Sequence, residues 1–318
     1  MGRRRKFLFW IFGIAAFWLI LCAVAGVAAS EWTLHPPRLR LTNDAGERAA
    51  AIAKSHRAIL QQVDVKANDG AILDAWFIAP SSWNGDAVIL LHGMADNRAG
   101  MLGPAEMLLR DGYSVLLPDA RAHGMSGGNL ATYGFLESVD IERWSGWLAQ
   151  NERPHCIDGL GESMGAALLL NSLKINHEFC AVAAESSFAS FREASYVRIG
   201  EWFGTGPWLG RTLLRPVVES GILYVRFRYG IDLGQDNPAK AVASSRTPVL
   251  LIHGLADSNM PPYNSEQILA ASKNGNPNVS LWEPPDAGHC GAMGSNPQEF
   301  EKRVVGWFES HSRNKQGG

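Results

Sequence analysis

The chain has 318 residues, of which 46% are hydrophobic, and its formal net charge is −2. This length suits one large domain with additional segments, and the apolar content suffices for a sizeable core. A charge so close to neutral excludes a global basic field, so we expect no nucleic-acid partner.

The first 30 residues have the composition of a signal anchor. Basic residues 3–6 precede the run from Phe7 to Ala29, 23 residues without a charge. As a helix this run would reach about 34 Å, enough to cross a bilayer. The basic flank favours a cytoplasmic N-terminus. We predict a single-pass membrane protein whose remaining chain lies on the exported, periplasmic or extracytoplasmic side. The alternative is a signal peptide cleaved near Val27 and Ala29, which would give a secreted protein.

Residues 31–60 are predicted to be a polar linker with one short Ala-rich helix, followed by a domain over residues 61–318. Strand and helix patterns alternate through this domain. The predicted strands are Gln62–Lys66, Ile72–Ile78, Val88–His92, Ser114–Pro118, Cys156–Leu160, Ala181–Ala184, Val249–His253 and Val279–Glu283. The predicted helices are Arg98–Arg110, Phe135–Gln150, Ser163–Ile175, Pro262–Lys273 and Pro297–His311.

The later strands are continuous apolar runs, as expected for strands covered on both faces of a parallel sheet. The first two alternate more and predict an antiparallel edge. The fold class is therefore α/β, with a doubly wound, mostly parallel eight-stranded sheet. In such sheets the functional site lies beyond the carboxyl ends of the strands.

One long segment, about residues 188–237, interrupts this alternation and is far longer than a normal crossover. Apolar residues at spacings of three and four predict two or three amphipathic helices. We interpret the segment as a helical cap over the active site. The alternative is a packed insertion without a functional role.

Four cysteines are present, and Cys22 lies in the N-terminal apolar run. The spacing of Cys156, Cys180 and Cys290 matches no zinc pattern, so we expect no metal site. We interpret Cys156 and Cys180 as buried free thiols, although their number also allows one disulfide.

The segment Gly161–Gly165 reads G-E-S-M-G and lies between an apolar strand and a helix-forming run. This is the G-x-S-x-G pattern in its required strand–turn–helix context. Glycines on both sides permit a very tight turn, and the strained turn exposes the serine hydroxyl to a base. The helix N-terminus that follows favours developing negative charge. We predict that Ser163 is a nucleophile.

A serine hydroxyl needs a positioned base. Among nine histidines, His289 lies in a glycine-containing loop after the last strand, where core packing explains it poorly. His92 and His253 each begin a His-Gly turn and are expected to fix the backbone instead. We predict His289 as the general base.

The acid that orients this base should follow another strand. Asp257 lies just past the strand Val249–His253, and the order Ser163, Asp257, His289 is the order expected for this architecture. Asp286 is closer to His289 in sequence, but a neighbour three residues away seldom points at the ring correctly. We predict Asp257 as the orienting acid.

An oxyanion hole needs two backbone N–H groups aimed at the developing charge. Met164, directly after the nucleophile, is predicted to supply one. The loop after the strand Val88–His92 should supply the other, from Met94, with Ala95 as the alternative.

From about Gln61 to its end the chain resembles the α/β-hydrolase superfamily. Within it, the chain is similar to the Bem46-like and cinnamoyl-esterase-like serine esterases. The resemblance implies a cap in the long insertion and activity on esters, thioesters or amides. One departure is Ala122, where relatives often carry glycine. The stretches that carry the resemblance are Leu91–Asn97, Asp119–Gly128, Gly161–Gly165, His253–Pro261 and Gly288-His289.

These observations predict a membrane-anchored serine hydrolase that cleaves a carboxylic ester or related acyl bond through an acyl-enzyme intermediate. The mechanism needs no cofactor and no metal. The expected partners are a small-molecule or lipid-like acyl substrate and, through the N-terminal helix, a membrane. The alternatives are an acyltransferase or peptidase of the same fold, or a non-catalytic binding protein. The Trp and Arg content of the insertion would also suit membrane docking.

Overall fold

The computed structural model describes residues 3–235 and 237–312, with the side chain of Arg4 excepted. Residues 1–2, 236 and 313–318, which belong to the predicted anchor, insertion and domain ranges, lie outside this description. The described chain divides into two compact units. One comprises residues up to His35 together with Phe191–Gln235, and the other comprises Pro36–Ser190 and the residues from Asn237 onward.

The larger unit is built on one eight-stranded sheet in the order β1-β2-β4-β3-β5-β6-β7-β8. β1 pairs antiparallel with β2, and β2 pairs antiparallel with β4. The remaining neighbours pair in parallel: β4 with β3, β3 with β5, β5 with β6, β6 with β7 and β7 with β8. The strands are β1 (Ala58–Lys66), β2 (Ile72–Pro80), β3 (Ala87–Leu91), β4 (Ser114–Pro118), β5 (Ile157–Glu162), β6 (Phe179–Glu185), β7 (Val249–Ile252) and β8 (Val279–Trp282).

The predicted fold class is confirmed, and each predicted strand overlaps one observed strand. Helices alternate with the strands of this unit. They are α2 (Asn43–Ser55), α3 (Leu102–Arg110), α4 (Glu137–Asn151), α5 (Met164–Ser172), α9 (Pro238–Ser244), α10 (Tyr263–Ser272), α11 (Ala292–Ser295) and α12 (Pro297–His311). The smaller unit contains α1 (Arg3–Leu34), α6 (Phe191–Trp202), α7 (Pro207–Arg211) and α8 (Arg215–Tyr229).

Successive side chains of a strand point to opposite faces, so a buried strand needs cover on both. On one face Val88 and Leu90 of β3 share a core cluster with Leu108 of α3 and Phe300 of α12. On another part of the sheet Phe77 of β2 stacks edge-on against Trp147 of α4, with ring centroids 5.4 Å apart. Because β3 and β5–β8 are parallel, their carboxyl ends open at one common edge.

The predicted linker at 31–60 differs from the structure. Helix α1 continues to Leu34, and β1 begins at Ala58. Between them, α2 buries Ala45, Ala49 and Ala53, which lie at a spacing of four and form one apolar stripe against the core. This range therefore contributes packed structure to the larger unit.

Among the described helices, the segment Arg5–Leu34 of α1 is the one long and apolar enough to cross a membrane, with a hydropathy of 2.6. A helix of this kind near an N-terminus could be a membrane anchor or a signal sequence. The long insertion is helical as predicted, with α6, α7 and α8 between β6 and α9.

The interpretation of Cys156 and Cys180 as free thiols is wrong, because the two form a disulfide. Cys156 lies directly before β5 and Cys180 lies in the neighbouring strand β6, so strand pairing brings their Cα atoms to 5.7 Å. Apolar flanks alone could not reveal this pairing, since it depends on the order of strands in the sheet. Among the described cysteines, Cys22 and Cys290 are free.

Removal of this disulfide is expected to destabilise the larger unit. The bond closes a loop of 24 residues. A disulfide that closes a loop of that size adds about 3 kcal/mol to the free energy of unfolding, because it restricts the unfolded chain. The double variant Cys156→Ala/Cys180→Ala should therefore unfold at lower urea concentration than wild type. Added dithiothreitol should shift the wild-type transition and leave that of the double variant unchanged. A dithiothreitol shift of equal size in both proteins would contradict the assignment.

Candidate active site

Ser163 lies in the sharp turn between β5 and α5. Its backbone has φ 52° and ψ −113°, a conformation that non-glycine residues rarely adopt. Its N–H donates to the Glu185 carbonyl at 2.8 Å. A Cβ on Gly161 would lie 2.6 Å from the Gly165 carbonyl, and a Cβ on Gly165 would lie 2.2 Å from the Leu91 carbonyl oxygen. Both glycines are therefore required by close backbone contacts.

The structure brings Ser163, His289 and Asp257 into one hydrogen-bonded chain. His289 Nδ1 lies 2.8 Å from Asp257 Oδ2, and His289 Nε2 lies 2.8 Å from Ser163 Oγ. A carboxylate can only accept, so Nδ1 carries the proton and Nε2 accepts from the serine hydroxyl. The three residues follow β5, β7 and β8, so they meet at the carboxyl edge of the sheet as the topology requires.

Asp257 is buried, and its second oxygen is also satisfied. Oδ1 accepts hydrogen bonds from the N–H groups of Asn259 and Met260, at 2.9 and 2.8 Å. Burial acts to raise the pKa of Asp257, but the hydrogen bonds from His253, His289 and the Met260 N–H outweigh it and hold the pKa well below its usual value. Asp257 is therefore ionised at neutral pH and accepts the hydrogen bond from His289 Nδ1 as an anion.

His253 and His92 make the backbone-fixing contacts expected of them. His253 lies with Nε2 2.7 Å from the Met260 carbonyl and Nδ1 2.7 Å from Ser265 Oγ, which fixes the loop that carries Asp257. His92 Nδ1 donates to its neighbouring Gly93 carbonyl at 2.7 Å, and its Nε2 accepts from a backbone N–H of the loop after β4 at 3.1 Å.

Met94 lies in the loop beside Ser163, since a Cβ on Gly93 would be 3.6 Å from Ser163 Cβ. Within the described residues, the N–H groups of Met94 and Met164 have no hydrogen-bond acceptor. The far end of the Met94 loop is held by Arg98, which forms a buried ion pair with Asp119 at 2.9 Å. Met164 thus directly follows the serine, and the loop that carries Met94 passes beside it at Gly93.

Sequence reasoning missed two glutamates next to Ser163. Glu162 precedes it in β5, and Glu185 is its register partner at the end of β6. Burial, reinforced by Glu185 and Asp96, raises the pKa of Glu162 to about 8. Burial raises the pKa of Glu185 to about 7, although the Ala292 N–H bond opposes this. Glu162 stands inside the motif, but only the strand register shows that the two carboxyls are neighbours.

Cys290, directly after His289, is no competing nucleophile. Burial, with Glu185 and Glu162 nearby, raises the pKa of its thiol far above the usual value, so it stays protonated. Within the described part of the chain, no group of three or more His, Cys, Asp or Glu side chains is arranged to hold a metal ion.

The raised pKa of Glu185 predicts a specific dependence of stability on pH. The folded state holds this proton more tightly than the unfolded chain, whose glutamates titrate near pH 4.5. The free energy of unfolding therefore falls as pH rises from about 4.5 to about 7. Over this pH range, the Glu185 carboxyl alone lowers the free energy of unfolding by on the order of 3 kcal/mol.

Glu185→Gln should remove much of that loss, because glutamine keeps an acceptor for the Ala292 N–H without a charge. Urea unfolding at pH 5 and pH 8 measures the difference. Glu178→Gln, at an exposed position, is the control and should follow wild type. If Glu185→Gln loses as much stability between the two pH values as Glu178→Gln, the assignment is wrong.

Comparison with known proteins places the chain among hydrolases of the same fold. The sequence model of the alpha/beta hydrolase family matches residues 88–303. An uncharacterized Bacillus subtilis protein, YqkD, is 26% identical over 244 residues, which cover 76% of each chain. The Arabidopsis thaliana protein WAV2, described as alpha/beta hydrolase domain-containing, is 23% identical over 266 residues, or 81% of each chain.

Solved structures of similar fold include the Pyrococcus furiosus esterase Pf2001. It is 26% identical, with a TM-score of 0.68 over 87% of this chain and all of its own. A Pyrococcus horikoshii acylaminoacyl peptidase is 18% identical, with a TM-score of 0.62 over 83% of this chain and 43% of its own. At that identity the peptidase shares the fold alone.

Proposed function

The chain belongs to the alpha/beta hydrolase family, and from that premise we propose that it is a serine hydrolase that cleaves carboxylic esters. The hydrogen-bonded chain of Ser163, His289 and Asp257 is the observation that carries this proposal. Motif order also suggests a place near the Bem46-like and cinnamoyl-esterase-like enzymes. The proposed reaction transfers an acyl group first to the enzyme and then to water.

In the first half-reaction Ser163 Oγ attacks the substrate carbonyl while His289 Nε2 takes its proton. Asp257 stabilises the resulting imidazolium through Nδ1, and the imidazolium then protonates the leaving alcohol. In the second half-reaction His289 activates a water molecule that attacks the acyl-serine. Release of the carboxylic acid restores the serine hydroxyl.

The N–H groups of Met94 and Met164 are the proposed oxyanion hole. Both lie beside Ser163 without an acceptor among the described residues. The positive end of α5 adds to the stabilisation of negative charge at this point. Such donors contribute most when they are fixed beforehand, which the anchored Met94 loop and the start of α5 provide.

An ester substrate is favoured over an amide by the likeness to the esterase Pf2001, which extends over that whole chain. The similarity to the Pyrococcus horikoshii acylaminoacyl peptidase supports only the fold and not an amide substrate. An acyltransferase would use the same acyl-enzyme with an alcohol or thiol in place of water. We propose a small-molecule or lipid-like acyl substrate.

We also propose that α1 anchors the protein in a membrane with the hydrolase domain on the exported side. The basic flank before Phe7 and the uncharged run after it support this orientation. The disulfide between Cys156 and Cys180 supports an oxidising compartment. Trapping free thiols at the moment of cell lysis tests the orientation, and reduced Cys156 and Cys180 would contradict it.

Ser163→Ala and Asp257→Asn each test one member of the proposed catalytic chain, and both are expected to lose most of the turnover. Loss of the nucleophile should lower kcat for p-nitrophenyl esters by on the order of 10⁴-fold or more. Asp257→Asn should also lower kcat by about 10⁴-fold, because the wrong tautomer of His289 is then favoured. The full-length protein in detergent is measured with esters of increasing acyl length, which also defines the pocket.

Asp286→Asn is the matched control for Asp257→Asn, because Asp286 is the nearer aspartate in sequence but no partner of the ring. It should keep near-wild-type turnover. Folded protein without turnover on any acyl ester, or turnover that survives in Ser163→Ala, would overturn the hydrolase proposal.

A further inference from the structure

We infer that the insertion Phe191–Gln235 is a second membrane-binding element, whose partner is the lipid of the outer leaflet alongside α1. This inference rests on the proposed membrane insertion of α1. It concerns the smaller unit alone, in which α1 and α8 pack directly against each other.

The packing of α1 on α8 is unusually close. A Cβ on Gly26 would lie 2.4 Å from the Val217 carbonyl oxygen, and a Cβ on Gly221 would lie 2.9 Å from the Gly26 carbonyl oxygen. The two glycines therefore allow the backbones to touch. Small residues at such crossings are typical of helices that pack within membranes. Cys22 and Val217 also share one buried cluster with Ile222.

The two helices run in the same direction. Ser220 Oγ donates to the Cys22 carbonyl at 3.3 Å. Further along both helices, the hydroxyls of Tyr224 and Tyr229 donate to Glu31 Oε1 at 2.6 and 2.8 Å. Residue numbers therefore increase in the same direction along both helices. The N-terminal end of α8 lies beside the more N-terminal part of the segment of α1 that it contacts.

This direction fixes the depth of the insertion. A span of about 20 residues that starts at Phe7 reaches the outer edge of the hydrocarbon core near Gly26. Trp18 packs against the same cluster as Leu214, which directly precedes α8. Trp18 lies eight residues before Gly26, which corresponds to about 12 Å along a helix. If α1 spans the bilayer, the turn between α7 and α8 lies below the lipid surface.

The surface of the insertion suits that position. Its 45 residues carry six exposed large hydrophobic side chains, whereas the much longer remainder outside α1 carries nine among the described residues. Exposed apolar groups at this density mark a binding surface. Aromatic residues are prominent among them, as at membrane interfaces. The six are Trp202, Phe203, Trp208, Leu213, Leu223 and Phe227.

Charges in the insertion are arranged in a manner compatible with lipid. An unpaired charge is costly in the hydrocarbon region, whereas paired and snorkelling arginines are tolerated. The arginines of α6, α7 and the first turn of α8 each have a carboxylate partner. The pairs are Arg192–Glu219, Arg198–Glu201, Arg211–Glu193 and, at 3.7 Å, Arg215–Glu219. In water, exposed ion pairs contribute little to stability. We therefore attribute these four ion pairs to a medium of low dielectric constant, in which pairing matters more.

The test places an environment-sensitive nitrobenzoxadiazole probe on Leu213→Cys in the full-length protein. The background carries Cys22→Ala and Cys290→Ala, and it keeps the disulfide. Ile59→Cys on the other unit is the matched control, since Ile59 is 64% and Leu213 57% exposed. Phe12→Cys, within the apolar run of α1, reports whether α1 is inserted. All three proteins are reconstituted in phosphatidylcholine–phosphatidylglycerol vesicles.

We expect nitroxide groups on lipid acyl chains to quench the probe at 213 and at 12, and aqueous iodide to quench only the probe at 59. Equal quenching by iodide at 213 and 59 would overturn the inference, as would a probe at 12 that lipid nitroxides do not reach. Protection of 213 from both quenchers, lost on dilution of the protein in lipid, would show a contact between copies and also overturn it.

Ester hydrolysis is measured on the same background protein before the cysteine probes are introduced. Failure of the hydrolase proposal therefore appears as absent turnover, and failure of the membrane inference appears as altered quenching. A further check on folding is the retained disulfide, which should protect Cys156 and Cys180 from a thiol reagent in every variant.

Discussion

The tight turn at Ser163 is the constraint on which the proposed chemistry depends. Its positive φ is held by contacts of Gly161 with Gly165 and of Gly165 with the end of β3, where there is no room for a Cβ. Such strain persists only when the surroundings determine it fully. The parallel sheet provides this, because β3 and β6 flank β5 and fix the backbone on both sides. The same arrangement aligns the loops that carry His289 and Asp257 with the serine.

Charge around this turn is distributed unevenly. Hydrogen bonds lower the pKa of Asp257 and keep it ionised despite its burial. Burial raises the pKa of Glu162 to about 8 and that of Glu185 to about 7, so both hold their protons at acidic pH. One carboxylate therefore faces His289 as an anion, and two nearby carboxyls stay largely neutral until the pH rises. Environment, and not residue type, decides which acid can stabilise an imidazolium.

The sequence was sufficient for the features that depend on local pattern. Continuous apolar runs identified the strands. The positions of Ser163, Asp257 and His289 after three strands of one parallel sheet predicted that their side chains would meet. Features that depend on which segments become neighbours were missed. The disulfide of Cys156 with Cys180 and the pairing of Glu162 with Glu185 both need the strand order and register. The contact of Gly26 with Gly221 joins residues nearly 200 positions apart, and neither glycine belongs to a motif. The alanines of α2 were placed in a helix, but their burial against the core required the packed structure.

The most direct measurement is the mass of the protein after reaction with a fluorophosphonate, followed by peptide mapping of the adduct. The proposed mechanism predicts one phosphonate per chain, attached at Ser163, with none on Ser163→Ala or on denatured wild type. An adduct on another residue, or a folded wild-type protein that remains unlabelled, would contradict the claim that Ser163 is an activated nucleophile.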